Sequence, residues 1–73
     1  MIEVRLFATL RDGRGKILEM SPDSVSTASD ILSALSIPAA DVAILLINGF
    51  HSKPEDPVSD GDVVALFPPV GGG

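Results

Sequence analysis

Ser59-Asp60-Gly61-Asp62-Val63-Val64-Ala65-Leu66-Phe67-Pro68-Pro69-Val70-Gly71-Gly72-Gly73 forms the last part of the sequence, and its reading decides the fold. Asp60-Gly61-Asp62 is a turn, because Gly supplies positive φ and Asp bonds its own backbone. Residues 63–67 are apolar throughout, which predicts a strand at the centre of a sheet. Pro68 and Pro69 then fix φ near −65° and favour an extended exit. Val70 offers one apolar contact. Gly71, Gly72 and Gly73 make a thread without Cβ atoms, able to pass a channel as narrow as a backbone. Residues 68–73 reach up to about 20 Å beyond the strand. The α-carboxylate of Gly73, rather than any side chain, is the expected reactive group. The expected division is a body over residues 1–67 and a flexible tail over residues 68–73.

Working backwards, residues 43–47 (Ala-Ile-Leu-Leu-Ile) form an apolar run ahead of Asn48-Gly49, which predicts a buried strand and a turn. Phe50-His51-Ser52 is expected to pair briefly with that strand. Lys53 to Asp62 holds two prolines and four acids and reads as an irregular surface connection. Thr27 is the expected N-cap of a helix over residues 27–35, with Asp30 completing a capping box. Ala28, Ile31, Leu32 and Leu35 fall at i, i+3, i+4, i+7 and form one apolar stripe. Pro38 closes that helix. At the start, Ile2, Val4, Leu6 and Ala8 alternate with Glu3, Arg5, Phe7 and Thr9, the pattern of a half-buried strand. Asp12-Gly13-Arg14-Gly15 turns the chain into a second strand over residues 16–20. One helix on one face of a mixed four- to five-stranded sheet makes an α+β architecture in two layers.

Seventy-three residues suit one small domain, with a net charge of −5 and no cysteine. Thiol nucleophiles, disulfides and thiolate metal sites are thereby excluded, and a reducing, cytoplasmic setting is expected. Phosphate backbones repel an acidic surface without a basic cluster, so no nucleic-acid partner is expected; basic protein surfaces fit better. No apolar run approaches the length needed to span a bilayer. His51 is the sole histidine and reads as a surface residue, not a metal ligand. Glu55, Asp56, Asp60 and Asp62 read as a solvated turn, since an EF-hand loop starting at Asp60 would need Glu where Gly71 stands. No serine lies in a Gly-x-Ser-x-Gly elbow, and the terminal glycines lack the Lys-Ser/Thr of a phosphate loop. No catalytic residue, metal or bound cofactor is expected.

The whole chain resembles the MoaD/ThiS family of ubiquitin-like sulfur carrier proteins. The resemblance rests on the opening Ile2-Glu3-Val4-Arg5-Leu6-Phe7-Ala8, the helix, Ile47-Asn48-Gly49, and above all residues 59–73. It implies the β-grasp fold. It also implies that a ubiquitin-activating-type partner (MoeB/ThiF-like) adenylates Gly73 with its own ATP and magnesium. A sulfur donor protein then converts the end to a thiocarboxylate for transfer to a cofactor precursor. Gly71 and Gly72 are the implied thread. Phe7, Phe67, Pro68, Pro69 and Val70, with Phe50 and His51 more loosely aligned, are the implied partner surface. For Phe7 two readings stand: cover by a partner, or packing under a loop of this chain. Pro-Pro ahead of the glycines is more like MoaD, the small subunit of molybdopterin synthase, which implies a MoaE-like large subunit as a second partner. Thiamine thiazole synthesis, another sulfur-transfer pathway and protein modification share the same frame. The free protein is expected to be a monomer.

Overall fold

A computed structural model describes residues 1–69 of the chain. Five strands form one sheet: β1 (Ile2–Leu6), β2 (Ile17–Met20), β3 (Ile44–Ile47), β4 (Phe50–His51) and β5 (Val63–Phe67). Among the described residues a single α-helix, α1 (Ala28–Ala34), lies between β2 and β3 in sequence, and short 3-10 turns occupy Ala8–Arg11 and Ala39–Asp41. The strand order is β2-β1-β5-β3-β4, with β1 and β5 parallel and the other neighbours antiparallel. This is the β-grasp arrangement, and β5 stands at its centre. The brief pairing expected around Phe50 is present, with Ile47 opposite Phe50 and Leu46 opposite His51.

Side-chain alternation sorts the strands into two faces. Ile2, Val4 and Leu6 from β1, Val64 and Leu66 from β5, and Leu45 from β3 are buried together with Ala28, Ile31 and Leu32 of α1. The opposite face, carrying Arg5, Ala65, Phe67 and Leu46, is not roofed by a helix. β5 is therefore central, as its composition suggests, but buried on one face only: its pattern alternates between half-buried and buried residues.

The helix is fixed at both ends. The Thr27 hydroxyl accepts from the Asp30 N–H, while the Asp30 carboxylate accepts from the N–H groups of Ser26 and Thr27 at 2.8 and 3.1 Å. The carbonyls of Asp56 and Pro54 accept from Ala28 and Ser29, the first helical donors. The acidic connection thus closes over the helix start, where its carbonyls satisfy orphan N–H groups. At the other end Ser36 adopts φ 57°. Ile37 N–H donates to Leu32 and Ser36 N–H to Ser33, the paired bonds of a Schellman motif. Arg14 donates from three nitrogens to the carbonyls of Leu10, Leu35 and Ser36 and so covers the helix C-terminus.

One expectation fails at the end of β1. Alternation placed Ala8 on the buried face, but the backbone turns at Ala8 (φ 52°) and the side chain is exposed. The reason lies two residues on: the 3-10 turn carries Leu10 into the core, 5% exposed, and it fills the place beyond Leu6. The path from β1 to β2 is consequently longer than a tight hairpin, although Gly13 and Gly15 do adopt positive φ.

Candidate functional site

The end of β5 is built from both of its neighbours. Leu66 pairs with Leu6 of β1 and Phe67 with Ile44 of β3, so the strand is held on both sides up to its last residue. Phe7 N–H donates to the Leu66 carbonyl at 3.2 Å, which carries the ladder one step past β1. The Phe7 and Phe67 rings then stack face to face, centroids 4.2 Å apart and planes within 10°. The Arg11 guanidinium sits 5.3 Å from the Phe7 centroid, a cation–π distance. Of the two readings of Phe7, packing within this chain is seen, against Phe67 and Arg11. The ring packs on this chain's own Phe67, yet it remains half-buried rather than roofed.

Pro68 and Pro69 leave this platform between two clefts. One, of about 440 Å³, is lined by Phe7, Ala8, Ile44 and Phe67, with the prolines. The other, of about 380 Å³, is lined by Thr9, Leu10, Arg14, Ile37 and Asp41, again with the prolines. Val70, Gly71, Gly72 and Gly73 lie outside the described residues.

Of the expected partner surface, the structure brings together Phe7, Phe67, Pro68 and Pro69. His51, opposite Leu46, belongs to the same unroofed face but three strands away from β1. Phe50 does not join them. It is opposite Ile47, whose side belongs to the core face, and it is 75% exposed at the sheet edge. Sequence reading missed Ile44 and Leu46, which stand on the unroofed face beside Phe67 and Ala65. Their run of apolar neighbours conceals the alternation, and only the register separates Ile44 (40% exposed) from buried Leu45.

The two turn motifs noted separately in the sequence prove to be one structure. Asn48, at φ 53°, donates from Nδ2 to Asp62 and accepts from the Val63 N–H, each at 2.9 Å. The Asp62 carboxylate also accepts from Ser59 N–H at 2.8 Å, and its carbonyl accepts from Glu3 N–H at 3.0 Å. Asp60 forms an ion pair with the Met1 ammonium, which holds its carboxyl below the usual range. These acids therefore serve the far end of β5 from the prolines. Among the described residues no group of three or more His, Asp or Glu is placed to hold a metal ion. Among the described residues no helix is long and apolar enough to cross a membrane.

Residues 4–73 match the ThiS family. The chain belongs to that family. Its match includes the whole of residues 68–73, the part the fold delivers from its central strand. Among solved structures, this ThiS-family chain is similar to SAMP1 from Haloferax volcanii, at 28% identity and TM-score 0.77, covering 99% of this chain and 98% of that one. It is also similar to the Haloferax volcanii HVO 2177 protein, at 30% identity and TM-score 0.75, covering 99% and 85%. A complex of subunits 1 and 2 of molybdopterin-converting factor from Helicobacter pylori contains a chain 23% identical, TM-score 0.66, covering 99% and 97%; that likeness shows the shared fold. No curated protein matches the sequence.

Proposed function

We propose that this protein is a sulfur carrier for molybdopterin synthesis, with Gly73 as the covalent position. The observation that carries the reading is the family match running through Gly73. It is supported by a β5 hydrogen-bonded on both sides to the residue before Pro68. A carboxylate is a poor electrophile at neutral pH, so activation must come first. In the activating partner, a Gly73 oxygen attacks the α-phosphate of ATP and releases pyrophosphate, with magnesium held by that partner. A persulfide of the donor protein then displaces AMP, and a second thiol cleaves the acyl disulfide. The products are a thiocarboxylate on Gly73 and a disulfide on the donor. No side chain of this protein takes part. Its contribution is to hold the reacting carbonyl on a rigid body.

On this reading the protein is a cytoplasmic monomer when free, and the Phe7–Phe67 platform with Ile44 meets both the activating enzyme and a MoaE-like large subunit. The neighbour from Helicobacter pylori, titled as subunit 1 in complex with subunit 2 of molybdopterin-converting factor, supports the second pairing. Co-expression with the organism's own activating enzyme, followed by intact-mass measurement, tests the proposal. A gain equal to replacing one oxygen by sulfur, absent from a chain lacking Gly73, is expected. Loading that survives loss of Gly73 overturns it.

The likeness to SAMP1, at 28% identity, favours a second reading, as a ubiquitin-like modifier. There a target lysine amine, rather than sulfur, captures the Gly73 adenylate. Branched peptides bearing a glycine remnant on other proteins are its signature. The same test bears on sulfur transfer to thiamine thiazole or other acceptors, distinguished by which precursor accumulates when the gene is deleted.

A further inference from the structure

The net charge of −5 conceals an uneven distribution. Four of the five cationic side chains, Arg5, Arg11, Arg14 and Lys16, lie within residues 5–16, a segment with net charge +3 once Asp12 is counted. The rest of the sequence then carries −8. Topology turns this asymmetry into a direction. β1 and β5 run parallel, so Arg11, Arg14 and Lys16, which follow β1, lie at the end where Pro68 leaves β5. Arg14 lines the same cleft as Pro68 and Pro69. Asp60 and Asp62 stand at the opposite end, beside Met1 and the start of β5. Helix α1 repeats the polarity, with Asp30 and Asp56 at its start and Arg14 at its finish. Five residues of strand separate the two ends by about 16 Å, twice the Debye length at physiological salt.

The cations at the proline end are not neutralised internally. Arg5 pairs with Glu3, but Arg11, Arg14 and Lys16 form no ion pair among the described residues. Arg11 and Arg14 bond backbone carbonyls instead, which fixes their position and leaves their charge. Among the described residues, Asp12 and Asp41 are the side-chain carboxylates at this end, fewer than the cations. We infer that this end is a cationic collar around the emerging C-terminus, and that it recognises an acidic protein surface bordering the site that receives Gly73. The expectation of basic partners, drawn from net charge alone, therefore applies at most to the far end. The physical consequence is steering: a molecule with such a dipole approaches an acidic rim with its C-terminus leading.

The inference rests on the carrier reading, and the test separates the two. Lys16→Glu and Lys53→Glu change net charge equally, but at the collar and in the acidic connection respectively. Both side chains are exposed and make no hydrogen bond among the described residues, so both variants are expected to fold. The rate of association with the organism's activating enzyme is measured at low and high salt. Lys16→Glu is expected to slow low-salt association by about three- to tenfold and to flatten its decline with salt. Lys53→Glu is expected to leave the rate unchanged or to raise it. Equal effects from the two variants, or a native rate that does not fall with salt, overturn the collar while sulfur loading stands. Absence of loading in the native protein removes the carrier reading and the collar together. A parallel titration with single-stranded RNA is expected to show no binding; RNA binding lost in Lys16→Glu would reassign the collar to phosphate.

Discussion

Asp30 shows how one side chain couples the fold to pH. Its carboxylate accepts from the backbone of Ser26 first and of Thr27 second, which holds it below the usual aspartate range although it is exposed. The unfolded chain lacks these donors and protonates at higher pH. The bonds therefore contribute fully above the ordinary aspartate value, about 3.9, and their contribution is lost as pH falls through the lower folded value. In Asp30→Asn, the decline of melting temperature below about pH 4 should be shallower than in the native protein. Parallel declines would remove Asp30 from the acid response. Ser36 makes the opposite kind of case. A residue with a Cβ at φ 57° is strained by roughly 1 kcal/mol, and Gly recovers most of that while loosening the unfolded chain. Ser36→Gly should stabilise by about 0.5 kcal/mol in urea unfolding; a loss of stability would mean that the Ser36 side chain is needed where it stands.

Among the elements, β5 separates core packing from the proposed docking surface within two adjacent residues. Leu66 is fully buried on the core face, and Phe67 stacks with Phe7 on the other. Leu66→Ala should cost about 2–5 kcal/mol, a large share of the roughly 4–11 kcal/mol expected for a domain of this size. Phe67→Ala should cost less, since the ring is half-exposed and the stack contributes about 0.5–1.5 kcal/mol beyond burial. It should nevertheless impair loading by the activating enzyme. Urea melts and loading assays on both variants check the pair, and a normally loaded Phe67→Ala would detach the aromatic platform from docking. This alternation also marks how far the sequence could be read. The strand periods of residues 2–6, the helical stripe ending in Leu35, and the capping box of Thr27 and Asp30 were legible because each is a local pattern. The joining of Asn48 to Asp62 was not, because the two turns meet only through the pairing of β3 with β5. Ala8 was misplaced because alternation continues in sequence past the point where Leu10 needs the backbone to turn. At the site, Phe7 and Phe67 were visible as aromatics, whereas Ile44 needed the register to distinguish it from Leu45.

For the whole molecule, the carrier proposal divides the labour between a packed body and an end that would do the chemistry. Every buried apolar residue among those described falls between Ile2 and Leu66, and Pro68 and Pro69 contribute none. Changes at position 73 should thus alter stability by no more than about 0.5 kcal/mol, the range of substitutions away from a packed core. Their effect on function should be complete. A tryptophan added after Gly73 moves the carboxylate one residue onward and places a large ring where the thread has only backbone atoms, so a channel sized for glycine should refuse it. The extended chain should therefore melt with the native protein, bind the activating enzyme through Phe7, Ile44 and Phe67, and fail to release pyrophosphate. Pyrophosphate release and calorimetric melting on the same preparation measure both halves. An extended chain that is adenylated without first being trimmed would show that the reacting carbonyl need not be delivered on a bare backbone, and the assignment of Gly73 would fall with it.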